Sequence, residues 1–180
     1  LKDRGVTTGR VGVEERLRFF IYSGVRAEAP GIDFTDAEPV TAGCRMFKSA
    51  TELALMQKAS DITIEAFRAA FATFREGMTQ GDLRANIQAA HRALGAPDGS
   101  ASVSFGMYTA FPHGSIEPQQ LKMGDVIQVD GGCGIDGYRS DITRTTVFGT
   151  PSARQTEIWN LEKAAQAAAD DKAKADEVAK

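Results

Sequence analysis

The chain has 180 residues, 42% apolar and 25% charged, with a formal net charge of -3. This is an ordinary composition for a soluble globular protein long enough to bury a core, and it sets aside a broad nucleic-acid surface, which would show as a basic excess. No run of eighteen apolar residues occurs, so no membrane span is expected. Cys44 and Cys133 lie far apart and outside any paired zinc pattern, so they read as reduced thiols of a cytoplasmic protein.

The opening LKDRGVTTGR lacks the apolar segment of a signal peptide. Residues 1–45 read as irregular with short strands. Residues 9–14 (GRVGVE) suit a strand with a glycine bend. Residues 15–22 (ERLRFFIY) fit a helical turn or a strand equally well, and the Pro, Gly and acidic residues of 29–39 (APGIDFTDAEP) predict a loop. Ser49-Ala-Thr-Glu52 then matches a capping box. Apolar residues recur at Leu53, Met56, Ile64, Phe67, Phe71 and Phe74, which predicts a long amphipathic helix ending near Gly77. Thr79-Gln-Gly-Asp82 reads as a second cap, and the helix it opens passes Leu83, Ile87 and Ala90 and stops near Gly95.

After a turn at 96–100 the period changes to two. Val103, Phe105 and Met107 alternate with small or polar residues, so 101–111 reads as a strand. Residues 112–125 read as a loop, 126–131 and 138–148 as strands, and a last helix begins near Ser152 or Ala153. The Ala-rich tail of that helix is only weakly amphipathic, as in a solvated helix or one whose packing partner lies elsewhere. Two helices, an antiparallel sheet and a further helix make an α+β arrangement. Neither a GxGxxG after a strand nor a GxxxxGK[ST] occurs, so the dinucleotide and P-loop patterns are missing.

Asp130 and Asp141 sit in strand-like runs eleven positions apart. If 126–148 is a hairpin, the turn is Ile135-Asp136 or Asp136-Gly137, and the second has the better turn chemistry. The first register sets Asp130 opposite Asp141; the second sets Asp141 opposite Gly132 with Asp130 diagonal to it. Both place the carboxylates on one face, about 4.5–5.5 Å apart at Cβ if opposite and about 7–8 Å if diagonal. Such a pair, flanked by Val129, Ile142 and Val147, calls for a shared proton or a divalent cation. The plainer alternative is a solvated hairpin with scattered acids. A calcium loop counted from Asp130 fails, because its sixth place is Ile135 and its twelfth is Asp141.

The two histidines differ. His91, beside Arg92 in the second helix, reads as an ordinary surface or helix-C-terminal histidine. His113 follows Pro112 and precedes Gly114 in a loop after a strand, where a ring can bind a substrate oxygen or move a proton. A Ser-His-Asp triad fits poorly without a GxSxG elbow. A Cys133–His113 pair lacks a positive neighbour other than Arg139.

The FPHG of 111–114, the KMGDVIQVDGG of 122–132 and the GYRSDITRTTVFG of 137–149 resemble the creatinase/aminopeptidase/prolidase family, with its pita-bread fold, and above all its Xaa-Pro dipeptidase and aminopeptidase branch. Residues 40–60 resemble that family's link into the catalytic domain. The resemblance implies the first half of a pita-bread fold, with 1–45 the remnant of a small N-terminal domain plus linker and 46–180 a partial catalytic domain. It implies that Asp130 and Asp141 are the two aspartate ligands of a dinuclear centre of manganese, cobalt or zinc, with Asp141 bridging. It implies that His113 contacts substrate and stabilises the tetrahedral intermediate, and that Arg144 is structural. The substrate would be a small peptide with proline in second place, and the protein a homodimer without nucleic-acid or membrane partners. The family centre also needs a histidine and two glutamates. No histidine follows His113, and Glu117, Glu157, Glu162 and Glu177 do not stand in matching settings. This stretch alone is therefore expected to be inactive, as part of a longer protein. The alternative is a metal-free creatinase-like hydrolase or a non-catalytic binding homologue on the same fold.

Overall fold

A computed structural model describes residues 2–178, with side chains described for residues 3–172. The chain divides into two compact units, Leu1–Leu53 and Ala54–Lys180. In the first, β1 (Gly9–Val13), α1 (Phe19–Glu28) and β2 (Ile32–Asp36) form a parallel strand pair joined by a helix. Parallel strands need such a crossover because a tight turn would reverse the chain. Tyr22 of α1 packs edge-on against Phe34 of β2, 5.8 Å between ring centres. The 29–39 stretch is thus not the expected loop. Ile32 and Phe34 carry a short alternating strand between acidic residues, and Pro39 opens α2 (Glu38–Met46), where a missing N–H costs nothing. The ambiguous 15–22 run resolves to a turn at 15–16 and, from Phe19, the start of α1.

Helix α3 (Ala50–Phe71) begins on the predicted box: the Ser49 N–H donates to Glu52 and the Glu52 N–H to the Ser49 hydroxyl. It ends six residues before Gly77. The Thr73 hydroxyl takes the Ala70 carbonyl at 2.7 Å, and the chain unwinds toward Gly77, whose φ is +79°. Its buried line is Ala59, Thr63, Ala66, Phe67 and Ala70; of the predicted row Phe67 is in the core and Phe71 and Phe74 pack against it. Small side chains let the helix approach its neighbours closely; Leu53 is exposed and Ile64 half-buried.

Helix α4 (Gln80–Ala93) carries the second predicted cap. Asp82 N–H donates to the Thr79 hydroxyl and Thr79 N–H to the Asp82 carboxylate, each at 3.0 Å. The Thr79 backbone N–H, then its hydroxyl, hold the Asp82 carboxyl below its ordinary value of 3.8. A depressed carboxyl favours the folded state above its unfolded pKa, and that contribution is lost as pH falls through the folded value. Thermal melts stepped downward through the acid range should therefore show a decline that Asp82→Asn makes shallower, with the variant already less stable at neutral pH. Parallel declines for the two proteins would remove Asp82 from the acid response.

Strands β3 (Ser100–Phe105), β4 (Val126–Gly132) and β7 (Ile142–Val147) form an antiparallel sheet in the order β3-β4-β7. β5 (Gly134–Ile135) and β6 (Tyr138–Arg139) extend the β4–β7 hairpin outward. The period of two sends Val103, Phe105, Ile127 and Val129 to one face, where they pack with Phe67, Met78, Leu83 and Ile87 as the core. Burying each large side chain contributes about 1.5–3 kcal/mol.

The predicted strand at 101–111 stops at Phe105. Gly106, with φ +53°, turns the chain into a short 3-10 helix, Gly106–Ala110, closed by the Thr109 hydroxyl on the Gly106 carbonyl. Gln119 anchors the loop that follows: its side-chain oxygen accepts the Phe105 N–H at 2.8 Å and its own N–H reaches Gln80. Helix α5 (Ala153–Val178) starts where the sequence predicts, and Gln155 ties it to the Gly124 carbonyl. Ile158, Trp159 and Leu161 on α5 are more than half exposed. Residues 179–180, and the side chains of the tail from 173 onward, lie outside the described residues.

Candidate active site

The core pattern decides the other face of the sheet. With Ile127 and Val129 inward, Gln128 and Asp130 must point the opposite way. The register sets Ser102, Asp130 and Thr143 in one row, and Ser104, Gln128 and Thr145 in the next. This face is a field of hydroxyls and amides around one carboxylate. Thr143 donates to Asp130 at 2.6 Å, which fixes one carboxylate oxygen, and the Arg144 guanidinium donates to the Thr143 carbonyl at 2.8 Å.

The turn at Phe111–Gly114 folds over this face. Gly114 N–H donates to the Phe111 carbonyl at 2.9 Å, with Pro112 in the position that its fixed φ favours. Gly114 approaches the sheet so closely that a Cβ there would lie 3.5 Å from the Ser102 hydroxyl. The result is a pocket of about 240 Å³ lined by Ser102, Ser104, Phe111, Pro112, Gly114, Gln128, Asp130 and Thr143. His113 stands exposed between two of the lining residues.

The hairpin turn is Asp136-Gly137. Ile135 faces Tyr138, and both turn residues have positive φ, +49° and +87°. This is the mirror-image turn whose twist matches the strands it joins. Gly134↔Arg139 and Gly131↔Ile142 share the pairing offset of the Asp136-Gly137 register, but Asp141 itself falls in the gap between β6 and β7, one residue before the strand that pairs with β4. Both aspartates are exposed, so the expected buried, compensated pair is not what forms. Val129 and Ile142 are covered, but on the opposite face, and an alternating strand says nothing about one face through residues on the other.

The remaining candidates separate. His91 is not a surface residue; it is fully buried, with Nδ1 3.0 Å from the Ile87 carbonyl. Cys133 is buried against α3, its thiol 3.4 Å from the Ala59 carbonyl, far from the role of a nucleophile. Glu157 pairs with Arg154, Glu117 and Glu162 are exposed, and the side chain of Glu177 lies outside the described residues. Among the described residues no three His, Cys, Asp or Glu gather around one point. The carboxylates of Asp130, oriented by Thr143, and of the exposed Asp141 are oxygen donors of the kind that suits part of the shell of a hard divalent ion. The further pocket residues Ser102, Ser104, Gln128 and Thr143 were not singled out from sequence. Their signal was the polar half of the ASVSF, VIQVD and ITRTT alternations.

A model of metallopeptidase family M24 matches residues 54–179. The chain is 30% identical over 166 residues to the Xaa-Pro dipeptidase of Pyrococcus horikoshii, covering 91% of this chain and 47% of that one. It superposes on the prolidase of Pyrococcus horikoshii OT3 with a TM-score of 0.83 at 26% identity, over 93% of this chain and 50% of that one. With the prolidase of Thermococcus sibiricus the TM-score is 0.84 at 25% identity, over 92% and 46%. The fold is therefore that of the prolidases, and the chain spans about half the length of the curated relatives it matches.

Proposed function

The chain belongs to metallopeptidase family M24, and from that premise we propose that the complete protein is a metal-dependent Xaa-Pro dipeptidase of which this chain carries part of the site. The observation that supports the reading is the polar sheet face that presents Asp130 beneath the 111–114 turn, with Asp141 exposed just before β7. Exposed carboxylates that repel in isolation become an asset when a divalent ion lies between them.

Asp130 and Asp141 would each hold the metal through carboxylate oxygens, and Thr143 would keep Asp130 turned toward it. Bound divalent ions would supply Lewis acidity for the scissile carbonyl and acidify an attacking water. Carboxylate donors favour manganese among the candidate ions. His113, carried on the turn above the pocket, would donate a hydrogen bond to the oxygen that gains charge as the peptide bond is attacked. The remaining ligands come from the half of the protein outside this chain. The first unit belongs in this reading to a small N-terminal domain. A cytoplasmic homodimer is the expected setting; the two free cysteines are compatible with it, and no described helix is long and apolar enough to cross a membrane.

Hydrolysis of an Xaa-Pro dipeptide by the complete protein, with and without manganese after treatment with chelator, tests the reading. Activity that returns with metal supports it. Metal-independent hydrolysis of a creatine-like substrate, or no hydrolysis under either condition, would replace it with the metal-free alternative.

A further inference from the structure

A buried chain of hydroxyls ends one residue from Asp141. Thr63 of α3 and Ser140 of the hairpin, both buried, share a hydrogen bond of 2.8 Å. Ser140 sits where β6 has ended and β7 has not begun. Facing residues of a regular antiparallel pair either exchange two backbone hydrogen bonds or make none. Here Ser140 N–H donates to the Cys133 carbonyl at 3.0 Å, but Cys133 N–H turns to the Ser140 hydroxyl, also at 3.0 Å. A side chain has replaced a backbone acceptor, and the chain leaves the ladder just before Asp141. Gly132 makes the room for this: a Cβ there would overlap the Ser140 carbonyl.

Behind Thr63 stands His91, whose Nε2 lies 3.4 Å from the Thr63 hydroxyl and whose ring meets Phe67 edge-on. The Thr63 hydroxyl also lies 3.5 Å from the Cys133 thiol. Two helices are thereby tied to the break in the hairpin through polar groups, beside the small apolar cluster of Ala59, Ala96 and Cys133. A purely space-filling role would be met as well by apolar side chains of the same shape, which leave no polar atom to satisfy.

We propose that Thr63 and Ser140 are positioning residues for Asp141: by holding residue 140 out of the ladder, they set the direction in which the Asp141 carboxylate leaves the sheet. The inference rests on the reading of Asp141 as a metal ligand. In the complete protein, Thr63→Val keeps the shape and removes the hydroxyl. The manganese dissociation constant by calorimetry is expected to rise about tenfold or more, the scale on which partners behind a ligand act. Amide exchange at Asp141 in the metal-free protein is expected to accelerate, and Thr63→Ser to restore both. Leu83→Val, a core change elsewhere on α4, is the control and should lower Tm while leaving manganese affinity within about twofold. Wild-type affinity and exchange in Thr63→Val, or changes no larger than those of Leu83→Val at equal loss of Tm, would overturn the proposal. Failure of the underlying reading looks different. The wild-type protein would then bind no manganese, while amide exchange would still decide whether Thr63 holds the backbone at residue 141.

Discussion

Asp141→Asn in the complete protein is expected to lower metal-stimulated Xaa-Pro hydrolysis by about a thousandfold, the upper end of what one lost charge-stabilising contact removes from a reaction. The same change should leave the metal-free protein as stable as before, or slightly more so. Asp141 is exposed, and a surface substitution away from caps and buried partners costs within about 0.5 kcal/mol. It also removes one negative charge from a chain whose net charge is already -3. Manganese calorimetry, dipeptide hydrolysis and thermal melts on the same preparations check it. Asp130→Asn should weaken metal binding too, although its amide oxygen can still accept the Thr143 hydroxyl that the Asp130 carboxylate takes at 2.6 Å. Retention of wild-type manganese affinity by Asp141→Asn would end the ligand assignment whatever the activity did.

This combination, a residue costly to the chemistry and cheap to the fold, follows from how the strands are built. Along β4 every second residue is committed to the core and the others are free of it. The period that buries Ile127 and Val129 makes Gln128 and Asp130 available. That much is legible in a bare sequence, because alternation is a property of the strand itself. The register was narrower. Asp136-Gly137 wins because both residues accept positive φ, and Ile135 as a turn residue would not.

Other features were not legible because they depend on contacts distant in the chain. The row Leu83, Ile87 and His91, spaced four apart, already marked His91 for the buried face of α4. What a one-dimensional reading lacks is the partner that makes a buried ring affordable, here Thr63, 28 positions away. The first unit was obscured for a different reason. β2 is five residues long, and its two apolar residues sit among acids beside Pro30 and Gly31, so turn-forming composition masks a strand that exists through parallel pairing with β1. The stripe of α3 was legible at Phe67, Phe71 and Phe74, which meet the core, while the small residues Ala59, Thr63, Ala66 and Ala70 that share its buried face carry no such signal in the sequence.

His113→Ala should separate binding of metal from use of it. The turn that carries His113 is held by Pro112 and by the Gly114 N–H on the Phe111 carbonyl, neither of which involves the ring. The backbone and the pocket it closes should therefore survive loss of the imidazole, and Tm should move little. Asp130 lies on β4 and Asp141 just before β7, strands whose pairing is independent of the turn, so manganese affinity should stay within about twofold, as for sites without shared partners. The rate should nevertheless fall by about a hundredfold to a thousandfold, the loss expected when one donor to a developing negative charge is removed. That loss should fall on kcat more than on KM, because an interaction made only as charge develops contributes nothing to the ground-state complex. Asp141→Asn must fail at the binding step and His113→Ala only at the chemical step. If His113→Ala loses manganese, the ring is a ligand or holds one. If its kcat stays within about threefold of wild type, the turn closes the pocket without taking part in the reaction, and the donor to the reacting oxygen is a group other than His113.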